Sequence, residues 1–334
     1  MLKSDVDLAP YTYIRIGGRA EAFWEVRSRT DLESALEWRR QRGVAEWFVL
    51  GGGANLLVND ERSYALVIKL DRAFGAIREE PDRIVVEAGV YLSRLVRDGV
   101  AAGWGGIEQL AGIPGTIGGA VVMNAGIPAF ETFDLVLEVR ALDAEGREVC
   151  FRTEELRPGY RNGNIPPDVV VSEVILARRA GDRAAMATAA RRLKDERREK
   201  QPLQHPSFGS TFRNPDPPAA HGVPEGHGSP AGQATPAGRE RPRVGEQGAA
   251  GAWAAGTLIE RAGLKGARRG DAQLSEKHAN FVVNLGRASA RDVLELMILA
   301  RREVGRRFGV WLEPEVRMVG FRPADLEPLL ERAA

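Results

Sequence analysis

An arginine, a serine and a pair of glutamates stand in short segments where their side chains could do chemistry. They are Arg161, Ser210, Glu313 and Glu315. Guanidinium, hydroxyl and carboxyl groups can stabilise charge or move protons. A serine–histidine–acid arrangement is not indicated, because His205 and His278 have no obvious acidic partner in the sequence.

Each of these groups also has a plain structural explanation. Arg161 follows the tight turn Gly159-Tyr160, a common setting for a surface arginine, and Ser210 follows a glycine and can be a turn residue. Strand alternation puts Glu313 and Glu315 on the same face of an apolar strand. Two carboxylates buried on one face would repel each other. Either both face solvent, therefore, or one is buried with a partner.

The stretch from Leu110 to Gly126 contains five glycines and almost no charge. Glycine is used where φ is positive or where a group approaches the backbone closely, and Pro114 fixes a turn without offering a donor. Two interpretations remain open from these residues alone. The stretch is either a backbone cradle for a large, partly anionic ligand, or two tight turns between buried strands.

A second glycine segment, Gly51-Gly-Gly-Ala-Asn-Leu-Leu57, directly follows a predicted strand. Neither glycine segment continues into Lys-Ser/Thr, and neither matches Gly-x-Gly-x-x-Gly at the start of a long helix with an acid about 20 residues on. A Walker loop and a Rossmann dinucleotide site are therefore disfavoured. Two backbone cradles on an α+β scaffold could still share one long ligand.

Composition narrows the function classes. The 334 residues carry a formal net charge of +1, which gives no sign of a nucleic-acid partner. Cys150 is the only cysteine, which argues against a disulfide framework and a cysteine zinc site. The four histidines do not form a metal-binding pattern. With no signal-like or membrane-spanning run, we expect a cytoplasmic protein without a metal or a membrane partner.

The first elements form a predicted βαββ unit of about 70 residues. Its helix runs from Thr30 to Arg40, with Thr30 as the N-cap and Glu33 completing a capping box. Gly43 ends this helix. The predicted strands are 22–26, 46–50 and 65–69.

A second block of strands and helices follows, and its last helix is rich in alanine, arginine and lysine. The many charges of that helix indicate a solvated face. The predicted elements are a strand at 83–89, a helix at 91–104 ending at Gly103, a hairpin of 134–143 with 147–152, a strand at 169–178 and the helix at 183–200.

The remaining chain contains an insert and a third block. Gly, Ala and Pro dominate residues 215–255, and such a composition cannot bury enough apolar surface to order itself. We therefore expect a disordered insert at about 216–252. The later predictions are helices at 256–263 and 289–308, the second capped by Ser289 with Asp292, and strands at 279–284, 310–312 and 316–319.

Eight motifs, taken in order, resemble the UDP-N-acetylenolpyruvoylglucosamine reductase family, the flavoenzymes of bacterial peptidoglycan precursor synthesis. The resemblance covers about residues 8–320 without the insert, and the ordered set is far more specific than any one motif. The motifs are Tyr13-Ile-Arg-Ile-Gly-Gly18, Gly51-Gly-Gly-Ala-Asn-Leu-Leu57, the 110–126 stretch, Gly159-Tyr-Arg161, Gly209-Ser-Thr-Phe-Arg-Asn-Pro215, Ala262-Gly-Leu-Lys-Gly266, Ser275-Glu-Lys-His-Ala-Asn280 and Leu312-Glu-Pro-Glu-Val-Arg317.

The resemblance implies an α+β flavin-binding fold of the vanillyl-alcohol-oxidase type, with two FAD-binding subdomains and a smaller substrate domain. The implied divisions are residues 1–70 completed by 310–320, residues 71–203, residues 204–309 including the insert, and a C-terminal tail at 321–334. The short link from Tyr160 to Val169 resembles the subtype that lacks an extra substrate-capping loop.

The resemblance also implies FAD as the cofactor, lying across both glycine segments with its diphosphate on backbone amides. Relatives that tether the flavin through the first loop use a histidine, whereas this chain has Ala54 there, so a non-covalent flavin is expected. The implied cofactor-binding residues are Gly51, Gly52, Gly53, Ala54, Asn55, Leu56, Ala111, Gly112, Ile113, Pro114, Gly115, Thr116, Gly118, Gly119 and Ala120.

The implied reaction has two halves: NADPH reduces the flavin, and the reduced flavin then reduces the enol ether of a UDP-linked amino sugar to give UDP-N-acetylmuramate. The family's pattern gives Arg161 and Glu315 the task of stabilising an enolate-like charge. Glu315 would act as a protonated donor, with its pKa raised by burial. Ser210 would deliver the proton to carbon.

The substrate contacts implied by the resemblance are Tyr160, Arg213, Asn214, Lys265, Gln273 and Lys277. Three features depart from the family's pattern. Asn-Gly-Asn follows Arg161 where a serine is usual, Arg213 replaces the more usual lysine, and the insert follows Pro215. We expect the insert to be a mobile arm that supplies no ligands.

Two other function classes are weighed beside the reductase. A flavin- or nucleotide-binding protein without turnover would not need Arg161, Ser210 and Glu315 together. An alcohol oxidase of the same flavin superfamily would carry a covalent flavin and a different C-terminal domain. The reductase is the leading hypothesis, and we expect a monomer that acts on a small-molecule substrate.

Overall fold

A four-stranded sheet opens the chain in the computed structural model, which describes residues 1–215 and 253–330. The predicted insert at 216–252 and the last four residues lie outside this range. The strands of this first sheet are β1 (Leu2–Asp7), β2 (Arg19–Val26), β3 (Trp47–Leu50) and β5 (Ser63–Leu70), in the order β1-β2-β5-β3. A short strand, β4 (Leu56–Val58), lies outside the sheet. The sequence did not predict β1, a largely exposed edge strand with little apolar alternation.

The first helix, α1 (Arg29–Gln41), connects β2 to β3. Its N-cap is Ser28, whose hydroxyl accepts a hydrogen bond of 3.1 Å from the amide of Asp31. The predicted cap at Thr30 with Glu33 was therefore wrong, because the helix begins earlier and Thr30 lies within its first turn. Gly43 follows the helix with a φ of +62°, as the predicted stop requires.

The second sheet has five antiparallel strands and carries the predicted hairpin. The strands are β6 (Ile77–Glu79), β7 (Arg83–Glu87), β10 (Val136–Leu142), β11 (Glu148–Arg152) and β12 (Val170–Ala177), in the order β11-β10-β12-β7-β6. Both β10 and β12 are rich in β-branched and aliphatic residues because they lie inside this sheet and are mostly buried.

Helices accompany the second sheet, and one of them forms within the glycine-rich 110–126 stretch. They are α2 (Leu92–Ala102), α3 (Ile117–Met123), α4 (Thr153–Leu156) and α5 (Arg183–Lys200). Two short strands, β8 (Gly126–Ile127) and β9 (Phe130–Glu131), follow α3. Gly103 ends α2 in the left-handed conformation, as predicted.

The third unit packs helices on a small antiparallel sheet. Its elements are α6 (Ala255–Arg261), β13 (Arg268–Arg269), β14 (Ala272–Leu274), β15 (Val282–Asn284), α7 (Ala290–Phe308) and α8 (Pro323–Leu330). The capping box of Ser289 with Asp292 forms at the start of α7 as predicted. The segment predicted as a C-terminal tail contains α8, whose Leu329 is buried.

The chain returns to its first unit near its end. Strand β16 (Arg317–Val319) pairs in parallel with β4. The strand predicted at 310–312 is wrong, because that segment has no strand partner and only Pro314 pairs as an isolated bridge, with Phe212. Within the described residues, no helix is long and apolar enough to cross a membrane.

Candidate active site

One cavity of about 680 Å³ brings the two glycine segments together with Arg161, Ser210 and Glu315. The glycine segments touch: a Cβ added to Gly52 would lie 2.6 Å from the Cα of Gly115. No side chain fits at that distance, so glycine at position 52 is required by backbone packing.

The first glycine segment leaves its β3 strand and turns sharply. Gly53 has a φ of +68°, and a Cβ there would lie 2.1 Å from the carbonyl oxygen of Tyr11. The amides of Gly52, Gly53 and Ala54 donate no hydrogen bond to the part of the chain that the structure describes. Free amides of consecutive residues beside a cavity suit an anionic group such as a diphosphate.

The second glycine segment is not a run of turns, since seven of its residues form α3. Thr116 caps that helix by accepting a hydrogen bond from the amide of Gly119. Asn124 ends it with a φ of +43°. The many glycines concealed the helix from sequence analysis, because glycine lowers helix propensity.

The structure places most of the predicted cofactor-binding residues on the cavity wall and two of them away from it. Ala111 belongs to the hydrophobic core, and Gly112 packs against the side chain of Arg197 with a φ of +81°. The residues on the wall are Gly51, Gly52, Gly53, Ala54, Asn55, Leu56, Ile113, Pro114, Gly115, Thr116, Gly118, Gly119 and Ala120.

Arg161 points into the cavity from a tight turn in which Gly159 and Asn162 exchange two backbone hydrogen bonds. Its φ of +55° is unusual for a non-glycine residue. Its Nε donates to Oε1 of Glu315 at 3.0 Å, and its Nη2 donates to the carbonyl of Gly126 at 3.1 Å. Arg161 is thus a partly buried partner of Glu315 and not the surface arginine that its motif also allowed.

The end of α3 holds this turn in place. The Nδ2 of Asn124 donates to the carbonyl of Gly159 at 2.9 Å. The amide of Gly163 donates to the carbonyl of Val122, and a Cβ at Gly163 would lie 1.9 Å from the carbonyl oxygen of Val121. The second glycine segment therefore lines the cavity and also supports the turn that carries Arg161.

Glu315 is the buried member of the glutamate pair. Its side chain is 15% exposed, whereas Glu313 is exposed. Burial raises the pKa of Glu315 above its usual range, and the charge and hydrogen bond of Arg161 oppose that rise. Of the two possibilities left open by the sequence, one carboxylate buried with a partner is the one observed.

Ser210 reaches the cavity from a loop anchored by two fully buried aromatic residues, Phe208 and Phe212. Asn280 holds the loop: its side chain accepts from the amide of Phe212 at 2.9 Å and donates to the carbonyl of Phe212 at 2.8 Å. Its carbonyl accepts from the amide of Thr211. Asn280 lies in one of the eight motifs, but no local pattern in the sequence indicates this positioning task.

Three predicted substrate residues border the site without lining the cavity. The ring of Tyr160 stacks on the guanidinium of Arg161 at 4.9 Å. Arg213 donates to the carbonyl of Arg161 at 3.4 Å. Asn214 accepts from the amide of Ala255 at the start of α6.

The other three predicted substrate residues lie in the third unit and also stand off the cavity wall. Lys265 pairs with Glu260, Gln273 donates to the carbonyl of Gly266, and Lys277 donates to the carbonyl of Arg198. The structure does not bring these three side chains together with Arg161 and Glu315.

Sequence reasoning missed three arginines of the cavity wall: Arg39, Arg197 and Arg317. Arg197 is only partly exposed and lines the cavity, so the charged face of α5 is not solvated along its whole length, and burial lowers the pKa of this guanidinium. With Arg161 they outnumber the wall carboxylates Glu315 and Asp168, so the cavity favours an anionic ligand. Among the described residues, no cluster of histidine, cysteine, aspartate or glutamate could hold a metal ion.

Comparisons with known proteins agree with this geometry. A family model described as "FAD binding domain" matches residues 20–151. A second model, described as "UDP-N-acetylenolpyruvoylglucosamine reductase, C-terminal domain", matches residues 201–319. The two models thus cover both the glycine segments and the part of the chain that carries Ser210 and Glu315.

Two curated relatives and one solved structure match along nearly the whole chain. UDP-N-acetylenolpyruvoylglucosamine reductase 2 of Symbiobacterium thermophilum is 38% identical over 95% of this chain and 91% of its own length. The reductase of Anaeromyxobacter sp. (strain Fw109-5) is 40% identical over 97% of this chain and 91% of its own length. The crystal structure of the Thermus caldophilus reductase superposes with a TM-score of 0.73 at 32% identity, covering 96% of this chain and all of that one.

Proposed function

The chain belongs to the UDP-N-acetylenolpyruvoylglucosamine reductase family, and on that premise we propose how its own residues carry out the reaction. It is an FAD-dependent oxidoreductase that uses NADPH to reduce UDP-N-acetylenolpyruvoylglucosamine to UDP-N-acetylmuramate in peptidoglycan precursor synthesis. Its fold is the α+β flavin-binding fold of the vanillyl-alcohol-oxidase class. The observation that carries the proposal is the largely desolvated Arg161–Glu315 pair beside two contacting glycine segments in one cavity.

We propose that the two glycine segments hold FAD without a covalent bond. The free amides of Gly52, Gly53 and Ala54 fit its diphosphate, and the alanine at position 54 offers no atom for a flavin tether. The close approach of Gly52 to Gly115 leaves no room for a side chain at position 52. When bound, FAD supplies the two-electron relay between NADPH and the enol ether.

Arg161 and Glu315 bind the carboxylate of the enolpyruvyl group and stabilise the charge that develops on it. Both side chains are largely withdrawn from water, at 17% and 15% exposure, so their hydrogen bonds act in a medium of low dielectric constant. The pKa of Glu315 is raised by burial, which favours the neutral acid as a donor to the anion. Arg161 supplies the fixed positive charge.

Ser210 protonates the carbon that bears the ether oxygen. A serine hydroxyl is a weak acid, so this transfer requires the strongly basic enolate that Arg161 and Glu315 stabilise. The buried anchors Phe208 and Phe212 and the hydrogen bonds of Asn280 fix the loop that presents the hydroxyl.

The remaining assignments complete the proposal. Tyr160, Arg213 and Asn214 are the proposed contacts of the sugar and diphosphate near Arg161, and Lys265, Gln273 and Lys277 are the proposed contacts of the nucleotide end. Residues 1–70 with 310–320 and residues 71–203 form the two FAD-binding subdomains, residues 204–309 form the substrate domain, and residues 321–334 follow as a C-terminal segment. The parallel pairing of β16 with β4 supports the return of 310–320 to the first subdomain.

We propose a monomer that works in the cytoplasm.

The cofactor assignment is tested by colour and by anaerobic titration. The purified protein should be yellow, bleach when NADPH is added without oxygen, and recover its colour when the enolpyruvyl nucleotide follows. A preparation that stays colourless after incubation with FAD would refute the proposal. Bleaching without recovery by the nucleotide would instead point to a different flavin enzyme.

A further inference from the structure

A buried lysine lies directly behind the first glycine segment. Lys69, the next-to-last residue of β5, is 8% exposed. Its Nζ donates to the carbonyl oxygens of Gly51 and Leu70, each at 2.8 Å. Gly51 and Leu70 both line the cavity, whereas Lys69 itself does not. The ammonium group is therefore separated from the cavity by one layer of backbone.

This ammonium has no close counter-charge in the described structure. No carboxylate of the described residues lies within 4.0 Å of Nζ. The charged groups around it are Glu25 on β2, and Asp71 and Arg72 just after β5. Glu25 already forms an ion pair with Lys3, in which Nζ of Lys3 lies 2.7 Å from Oε1 of Glu25. Burial lowers the pKa of Lys69 to about 8, which is the response expected of a cation held in a poorly solvated place.

The hydrogen bond from Lys69 to Gly51 sets the orientation of the peptide between Gly51 and Gly52. In a trans peptide the C=O and the N–H point in opposite directions. The carbonyl of Gly51 points at Lys69, so the amide of Gly52 in the same peptide points away from Lys69 and towards the cavity side. That amide has no acceptor among the described residues. Lys69 thus fixes the peptide orientation that presents a free donor to a ligand.

We propose that Lys69 is a positioning residue for the cofactor's diphosphate. It orients the first glycine segment, and the negative charge of the diphosphate, on the other side of the backbone, compensates its buried positive charge. The inference rests on the proposed FAD function of this cavity. It concerns binding and requires no contact between Lys69 and the ligand.

Proton linkage follows from this arrangement. An anion bound opposite the ammonium favours the protonated lysine, so FAD binding raises the pKa of Lys69. Binding is then strongest below the pKa of the free protein and weakens as the pH rises through it. With that pKa at about 8, the dissociation constant for FAD should be about fourfold larger at pH 8.5 than at pH 6.5. At pH 8.5 the protein should take up part of a proton as FAD binds.

The experiment is calorimetric titration of the full-length apoprotein with FAD at pH 6.5 and 8.5, in buffers of different ionisation enthalpy. The wild-type protein should show the fourfold pH effect and proton uptake. Lys69→Met keeps an unbranched side chain but lacks the ammonium group, and it should bind FAD at least about tenfold more weakly at pH 6.5. It should also show neither pH effect nor proton uptake.

Lys194→Met is the matched control, because Lys194 is an exposed lysine of α5 that does not line the cavity and is not among the charged groups around Lys69. This variant should bind FAD with wild-type affinity and wild-type proton uptake. If Lys69→Met does not fold, the wild-type measurement still decides: FAD binding without proton uptake at pH 8.5 overturns the inference. Wild-type protein that does not bind FAD at either pH would refute the proposed function instead.

Discussion

At the scale of single residues, the proposed site depends on a guanidinium and a carboxyl group that are held largely out of water. A buried ion pair is costly to form and costlier to break, because removal of one partner leaves an unpaired charge. Arg161 also donates to the carbonyl of Gly126, so the guanidinium stays in place whether Glu315 is charged or neutral. This arrangement allows Glu315 to serve as a neutral donor while the positive charge remains fixed.

Ser210→Ala should separate the two half-reactions. Reduction of the flavin by NADPH needs no proton from Ser210, so its rate should stay within about twofold of wild type. Reoxidation by the enolpyruvyl nucleotide should slow by at least about 100-fold, the usual contribution of a positioned general acid. Anaerobic stopped-flow absorbance measures both rates. Equal losses in the two half-reactions would contradict the role of Ser210, and Ser34→Ala on the exposed face of α1 is the control.

Glu315 gives a prediction about pH. If the neutral acid is the active form, the reoxidation rate should fall as the pH rises through the raised pKa of Glu315. Glu315→Gln keeps a donor that cannot ionise, so this decline should disappear, although the rate itself falls because an amide is the weaker donor. Glu313→Gln, an exposed carboxylate two residues away, should keep the wild-type profile. A decline that persists in Glu315→Gln would assign the titration to another group.

At the scale of elements, the sequence predicted most strands and helices from local pattern. Ser289 with Asp292, Gly103 and the 134–152 hairpin were placed correctly because each signal lies within a few residues. The errors occurred where distant contacts decide. Helix α3 forms in a glycine-rich stretch because it is packed in the core shared by the first two sheets. Residues 310–312 remain outside any sheet because the return strand begins only at Arg317.

The site residues also divide into those that a local motif indicates and those that only distant contacts reveal. Arg161, Ser210 and Glu315 could be named because their motifs are short and ordered along the chain. Asn124 and Asn280 could not be assigned tasks, because each acts through hydrogen bonds to a segment far away in sequence. Arg197 was hidden among the many charges of α5, and its partly buried position on the cavity wall is visible only in the structure.

Gly163→Ala tests whether α3 positions the Arg161 turn. The added Cβ would lie 1.9 Å from the carbonyl oxygen of Val121, so the turn must move. We expect the free energy of unfolding to fall by about 1–3 kcal/mol. The KM for the enolpyruvyl nucleotide should rise while FAD remains bound. Gly159→Ala in the same turn, where nothing lies within 4 Å of the added Cβ, is the control and should leave KM unchanged. An unchanged KM in Gly163→Ala would separate the turn from substrate binding.

At the scale of the whole molecule, the hydrophobic clusters do not follow the predicted divisions strictly. One cluster joins the first and second sheets, and another joins Ile14, Ile16 and Leu57 of the first unit to the third unit. The sequence could not predict this sharing, because it depends on which faces meet in space. The cavity lies where the three units converge, so a ligand bound there contacts all of them.

FAD should therefore stabilise the whole protein against unfolding. A ligand that binds only the folded state adds about 2.7 kcal/mol at a free concentration 100 times its Kd. Differential scanning calorimetry should show a Tm that rises with FAD concentration, with a single transition in the saturated protein. A Tm that is independent of FAD would contradict binding in this cavity.

The most direct test of the central claim is a crystal structure of the protein with FAD and the enolpyruvyl nucleotide bound. The account predicts the flavin in the cavity along the wall that the two glycine segments form, the enolpyruvyl carboxylate within hydrogen-bond distance of Arg161 and Glu315, and the Ser210 hydroxyl facing the carbon that bears the ether oxygen. A flavin outside the glycine segments, or an enolpyruvyl group away from the Arg161–Glu315 pair, would contradict it.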